Sequence, residues 1–414
     1  MWSRREFLRS CVASSSLVAV GLSIPRFLSR TAAATLPADK PGGKDTLLVV
    51  VQLTGGNDGL NTVVPFKDPL YAKYRQALRL PLPQLHKIED DVALHPSLKG
   101  FAELLDDGAL CVVQGVGYPN PSQSHFRSMD IWHAGSMAEN PSEGWLGKTL
   151  RQLSGSQAFH IAQENEEAPL ALSGSPGRVP SLTRLEDFRL HMRAAHRGDL
   201  LAQRKVLQQA SAGTSSPGLL DFIQRTATQT YAQVQRLQEL AQSYEPRVPY
   251  PASGLAQRLK LVAQLIDAEV GARIFYVSLD GFDTHAEQLA THGRLLQELS
   301  DAVTAFFKDM SARGHRDRIV LMTFSEFGRR VAENGSKGTD HGAAAPMFLV
   351  GGRVHAGVVG NHPSLADLDM GNLKHHTDFR QVYAAVLDQW LGVSSRQVLG
   401  SAFRQAPVLQ TRAT

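Results

Sequence analysis

Five short apolar runs, at residues 46–53, 110–113, 273–279, 318–323 and 347–350, constrain this chain more than any other feature. None shows the strict polar–apolar alternation of a strand with one wet face. Nearly continuous runs of this length suit strands covered on both faces, the condition of a parallel sheet. Stretches with helical spacing separate them, at 98–107, 289–313 and 379–391. Strands alternating with helices give the α/β class, a central, mostly parallel sheet flanked by helices.

Residues 186–268 read differently. They are rich in Gln, Ala, Leu and Arg, carry helical spacing, and break only at 213–218 and 246–251. We expect a mainly helical insertion of three helices within a single α/β domain spanning 46–410. No internal repeat and no second membrane segment is visible.

The N-terminus has its own logic. Ser3-Arg4-Arg5-Glu6-Phe7-Leu8 precedes an apolar stretch at 12–24 and resembles a twin-arginine signal. The stretch falls short of the roughly 20 apolar residues of a membrane span. Pro25 ends it, and Ala32-Ala33-Ala34 supplies the small residues that a signal peptidase requires. Residues 1–34 are therefore expected to be a cleaved signal and 35–45 a linker. The expected partner during export is the twin-arginine translocase, the destination is the periplasm or the exterior, and no stable membrane insertion follows cleavage.

Charge agrees with that division. The chain has 43 Lys+Arg and 39 Asp+Glu; five Arg and Glu6 lie in 1–34, leaving 38 of each sign. A neutral mature chain gives no reason to expect nucleic acid or an anionic membrane as partner. Cys11 leaves with the signal. Cys111, in the run Leu110-Cys111-Val112-Val113, is then the lone cysteine and reads as core. A chain folded in a reducing cytoplasm cannot rely on disulfides.

Ligands of open α/β sheets sit beyond the carboxyl ends of the strands. After the first run comes Thr54-Gly55-Gly56-Asn57-Asp58-Gly59; after the second, Pro121-Ser122-Gln123-Ser124-His125-Phe126; after the third, Asp280-Gly281-Phe282-Asp283-Thr284-His285. The fourth is followed by Ser325-Glu326-Phe327-Gly328-Arg329, and Gly338-Thr339-Asp340-His341-Gly342 precedes the fifth. Any one of these is weak, since Gly-Gly-Asn-Asp-Gly alone is a turn signal. Together, Asp58, Asp283, His285, Glu326, Asp340 and His341 point to a divalent metal, one ion or two. Mixed O and N ligands suit Zn, Mn or Mg, and the lack of thiolates argues against a structural zinc site. In extended backbone Asp283 and His285 face the same way.

Ser124 and His125, expected with Arg329 to be the catalytic residues, open a segment with helical character. A hydroxyl there sits among N–H groups that attract anions, or is a plain N-cap. A neighbouring metal would make it a nucleophile, and Ser122, two residues away, is a rival for that role. Arg329 has the chemistry to hold an anion by paired hydrogen bonds, or a helix-start ion pair. His95, His133, His160, His191 and His196 read as surface or satisfied core residues. His362 reads as a loop residue. His375 and His376, near Asp378, open a helix.

The motifs Leu53-x-Gly55-Gly56-Asn57-Asp58-Gly59, Ser124-His125-Phe126, Asp283-Thr284-His285, Ser325-Glu326-Phe327-Gly328-Arg329 and Gly338-Thr339-Asp340-His341-Gly342, in this order over 45–395, resemble the DUF1501 family of exported bacterial proteins. That family resembles the alkaline phosphatase-like superfamily, with its sulfatases and phosphomutases. The resemblance implies an alkaline phosphatase-like fold and transfer or hydrolysis of phosphate or sulfate esters at a two-metal site. It implies Ser124 as nucleophile, Asp58 as a metal ligand, Asp283 and His285 on one metal, and Asp340-His341 ahead of Pro346 as the late ligand pair. Where the superfamily carries Asp-His, this chain has Ser325-Glu326. A small-molecule or polymer ester is the expected substrate. The rival expectations are a non-catalytic binding or assembly module of the envelope, or a polysaccharide- or envelope-binding protein.

Overall fold

The computed structural model describes residues 46–410 apart from 154, 165, 178 and 185–242. The expected signal, the linker and most of the expected insertion, with His191 and His196, lie outside the described residues. Pro41–Thr183 and Glu245–Thr414 form one compact unit.

Its frame is a nine-stranded sheet: β1 Leu47–Thr54, β2 Leu110–Gly117, β3 Gln157–Ile161, β4 Ser181–Leu182, β5 Ala272–Asp280, β6 Ile319–Phe324, β7 Ala345–Val350, β8 Gly357–Val359 and β9 Thr377–Asp378. The order is β8-β2-β7-β6-β1-β5-β3-β4, with β9 also on β2. Every pairing is parallel except those of β7, which runs antiparallel to β2 and β6. All five apolar runs are strands of this sheet. The centre of β1 is fully buried, as two covered faces require. The sequence reading missed β3, whose run is interrupted by Gln157 and His160, and the two- and three-residue strands β4, β8 and β9, which are too short to carry a pattern.

The helices that matter here are α1 Gly59–Thr62, α2 Pro69–Tyr74, α3 Lys99–Asp106, α4 His125–Ala134, α5 Trp145–Gln152, α6 Gly254–Asp267, α7 Gln288–Ala312 and α8 Phe379–Ala385. The helix expected over 379–391 is α8 continued by a wider π turn, Val386–Leu391. Of the expected insertion, α6 is described, capped by the Ser253 hydroxyl. Cys111 is buried in the core with Leu48, Met322 and Leu349, and burial pushes its thiol up to about 12. Among the described residues no helix is long and apolar enough to cross a membrane.

Topology gathers the site. β6, β1 and β5 are adjacent and parallel, with Gln52 beside Phe324 and Thr54 beside Asp280, so their carboxyl-end loops emerge together. Two antiparallel steps, through β7, return β2 to the same direction. Its carboxyl end therefore leads to His125 at that edge. Because β7 runs the other way, this edge receives its amino end, and with it His341.

Candidate metal centre

The loop after β1 is built for close approach. Gly55 and Gly56 have φ of +119° and +84°, where a side chain is strained. A Cβ on Gly55 would lie 2.3 Å from the Asp283 nitrogen. Glycine thus lets the β1 and β5 loops touch. Arg329 then ties them together. It is 1% exposed and donates from Nε to the Gly56 carbonyl (2.7 Å), from Nη1 to Thr339 O (2.8 Å), and from Nη2 to Phe282 O (2.9 Å), to Gly55 O and to an Asp283 oxygen (2.7 Å). Every guanidinium nitrogen is engaged. The expected anion clamp is therefore a brace, because carbonyls that lose their ladder partners at strand ends need donors.

Arg329 also pairs across an isolated bridge with His341. The bonds Gly328 N–H to Ala343 O and Gly342 N–H to Gly328 O fix that pairing, both at 2.8 Å. On the far side α4 is fastened by Ser128, whose hydroxyl donates to Glu326 O and meets the Tyr118 hydroxyl at 2.7 Å.

These fastenings bring four of the expected residues together. One atom each of His125, Asp283 and His341 lies within 4.8 Å of the others. His341 Nε2 is 3.1 Å from Asp283 Oδ1, and His125 Nε2 is 3.5 Å from Asp283 Oδ2. His285 Nε2 lies 3.0 Å from both Asp283 Oδ1 and His341 Nε2. The Phe327 ring packs on His125 and His341, with centroids 4.9 and 4.7 Å away.

The outward nitrogens decide the chemistry. His341 Nδ1 meets the Gln123 carbonyl at 2.8 Å. A carbonyl only accepts, so Nδ1 carries the proton. His125 Nδ1 meets the Glu326 carboxylate at 2.8 Å and donates likewise. In the neutral rings both Nε2 lone pairs then face the Asp283 carboxylate. Lone pairs at these distances repel unless a cation or a proton lies between them. An oxygen acceptor behind each imidazole is the usual outer shell of a metal-bound histidine.

Asp283 is charged in this setting. Burial raises its pKa, and the Arg329 hydrogen bond and charge outweigh that, holding the carboxyl down at about 2. The bond to Glu326 raises the His125 pKa above its ordinary value despite partial burial.

Three expected ligands stand elsewhere. Glu326 is fully buried and accepts from Gly55 N–H (2.9 Å) as well as from His125, so it orients a histidine instead of facing the centre. Asp58 is fully buried and bound by Arg75 at 2.5 and 2.9 Å. Asp340, half-exposed, stands behind His285 at 3.6 Å from Nδ1. Ser124 is exposed at the N-cap of α4, yet its side chain makes no cap hydrogen bond. The Ser122 hydroxyl accepts from Ser124 N–H at 3.2 Å. Sequence reasoning missed Gln123, Arg75 and Gln288. Gln123 acts through its backbone, which no side-chain pattern reports.

A family model described as a protein of unknown function, DUF1501, matches residues 45–401. The chain belongs to the DUF1501 family. Among curated proteins no relative matches it. Solved structures to which it is similar include the C-terminal periplasmic domain of EcEptC from Escherichia coli, in complex with Zn, at 11% identity and TM-score 0.37, covering 76% of this chain and 74% of that one. The lipoteichoic acid synthase LtaP from Listeria monocytogenes is similar at 8% identity and TM-score 0.36, over 85% and 80%. The PsFucS1 sulfatase from Pseudoalteromonas sp. is similar at 11% identity and TM-score 0.35, over 91% and 72%.

Proposed function

We propose that the chain is an exported hydrolase of phosphate or sulfate esters, dependent on a divalent ion held by His125, Asp283, His341 and His285. One observation carries this reading: two imidazoles whose Nδ1 protons are committed to Glu326 and Gln123 turn their Nε2 lone pairs onto Asp283. The donor set of three imidazoles and one carboxylate suits Zn or Mn better than Mg, which prefers oxygen. A bound ion would supply Lewis acidity to an ester oxygen and favour deprotonation of a nearby hydroxyl.

The chain's own contributions follow from position. Ser124 offers an exposed hydroxyl, uncommitted to capping, one residue before a candidate ligand. The first turn of α4, a ten-residue helix, presents N–H groups toward an anion bound there. Glu326 and Gln123 hold the imidazoles in one tautomer. Arg329 and the paired glycines hold the loops so that Asp283 does not reorganise during reaction. The engaged guanidinium of Arg329 favours a second reading, a metal-holding envelope module without turnover, because the expected anion clamp is spent on the scaffold.

Purified protein lacking residues 1–34, loaded with Zn or Mn, tests both. Elemental analysis reads the bound ion, and aryl phosphate and aryl sulfate esters read turnover, with Ser124→Ala beside wild type. Metal with Ser124-dependent turnover supports the hydrolase. Metal without turnover of any ester supports the module, and no metal sinks both. Export through the twin-arginine route rests on Ser3–Leu8 and the following apolar run. Replacing Arg4 and Arg5 by Lys is expected to keep the protein in the cytoplasm, as read by cell fractionation.

A further inference from the structure

We propose that the chain holds one metal ion and not two, because Asp58, expected to be a metal ligand, is instead paired with a resident cation, the Arg75 guanidinium. The inference rests on the metal reading of the His125–Asp283–His341 cluster.

Asp58 and Arg75 are both completely buried. Arg75 reaches Asp58 from the end of α2 and meets both carboxylate oxygens, Nη1 to Oδ2 at 2.5 Å and Nη2 to Oδ1 at 2.9 Å. Gln288, at the start of α7, donates to Oδ2 at 2.5 Å. The guanidinium is itself fixed, with Nε donating to Val331 O (2.6 Å) and Nη2 to Arg330 O (3.0 Å). Gln288 is held in turn, its Oε1 accepting from Thr284 (3.0 Å) and Thr339 (2.6 Å). To bind an ion, Asp58 would have to release three donors, leaving a buried guanidinium without its counter-charge. Breaking a buried pair in that way is strongly unfavourable.

The other carboxylate expected to serve a second ion is equally committed. Glu326 Oε1 accepts from Gly55 N–H and from His125, and Oε2 is packed 3.2 Å from the Ser325 oxygen. Ser325 donates to Leu53 O and accepts from Asn57 N–H. The residues that would form a second centre are thus wired to one another and to the backbone. Guanidinium also differs from a metal ion in kind. It carries one delocalised charge, does not exchange with solvent, and has no empty orbital for a substrate oxygen. The β1 loop therefore keeps its counter-charge whether or not the open cluster is loaded.

The test counts ions on the folded full-length protein and on Asp58→Asn/Arg75→Met, which removes both charges together. Native mass spectrometry in saturating Zn, with circular dichroism to confirm folding, is expected to give one ion per chain for both proteins. Zn affinity of the double variant should stay within about threefold of wild type, since affinity at this ratio differs by under 1 kcal/mol. Two ions on wild type would overturn the inference while leaving the metal reading intact. No ion on wild type would overturn both. One ion on wild type and none on the folded double variant would show that Asp58 serves the metal, and would also overturn it. If the double variant does not fold, Arg75→Lys, which keeps the charge, takes its place with the same expected count of one.

Discussion

Asp58 and Asp283 follow neighbouring parallel strands and lie in glycine-containing loops that touch each other, yet they have opposite fates. Asp58 is sealed, with an arginine and an amide on its oxygens. Asp283 has one side on Arg329 and keeps nearly half its side-chain surface open, facing three imidazoles. In both cases the charged form wins. At Asp58 burial pushes the pKa up and Arg75 more than offsets it, leaving the carboxyl below its ordinary value. Residue type and place after a strand are alike; the partner that arrives from elsewhere separates a sealed carboxylate from an open one.

The comparison breaks if the two carboxylates respond alike to neutralisation. Asp58→Asn leaves Arg75 buried without its counter-charge and should cost about 3–5 kcal/mol in urea denaturation. Asp283→Asn should cost less than that, because nearly half of its side chain is open to solvent and Arg329 keeps its four carbonyl partners, and should abolish metal binding. Equal losses of stability would show that Asp283 is structural as well.

Acid sharpens the contrast. His292 bonds to the Asn57 carbonyl oxygen at 2.9 Å beside the sealed carboxylate, and burial lowers its pKa to about 4. His133, bonded to Gln52 at 2.8 Å, is lowered by burial to about 3. The ordinary value is near 6.5, so below that pH the unfolded chain takes up protons that the folded chain refuses. For these two histidines stability should fall as pH drops from about 6.5 toward 4, by up to about 1.4 kcal/mol per pH unit for each group. His133→Gln should reduce that slope in pH-dependent urea titrations. An unchanged slope would remove His133 from the account.

Glu326 links the two regions, since Gly55 N–H and His125 Nδ1 share one of its oxygens. Glu326→Gln should lower Zn affinity about 10–100-fold, as loss of an outer-shell carboxylate does, with the ion count unchanged. A drop in ion count would instead make Glu326 a ligand. The smallest effect concerns the helix start beside the open cluster. Asp378 caps α8 by accepting from Arg380 N–H at 2.9 Å, and Asp378→Ala should cost about 1 kcal/mol. Ser124 makes no cap bond, so Ser124→Ala should cost under about 0.5 kcal/mol. A larger cost would show that its hydroxyl is spent on the fold.

The fold was legible where burial left a pattern. A strand covered on both faces must be apolar throughout, so five runs announced five strands of the sheet. β3 escaped because His160 interrupts its apolar run. The edge strands escaped because two or three residues carry no period. The site was legible as a set of loops. That His125, Asp283, His285 and His341 would come together followed from their places beyond the strand ends, although His125 was expected there as a catalytic residue and not as a ligand. The hydrogen bonds of Arg329, Glu326 and Asp58 were not legible for a common reason: each residue has the chemistry for a ligand or an anion, and each meets a partner distant in sequence. Arg329 and Gly56 are separated by 273 positions, and Glu326 and His125 by 201.

The sequence alone determined the α/β class, the burial of Cys111 and the residue types gathered at one edge of the sheet, because each depends on local composition and period. Tertiary structure alone decided which carboxylate is sealed and which is open, and which imidazole nitrogen carries the proton. Those choices depend on where the Arg75 and Arg329 guanidiniums and the Gln123 carbonyl come to rest. Long-range packing sets those positions, and a hydrogen bond exists only where packing brings donor and acceptor within about 3 Å.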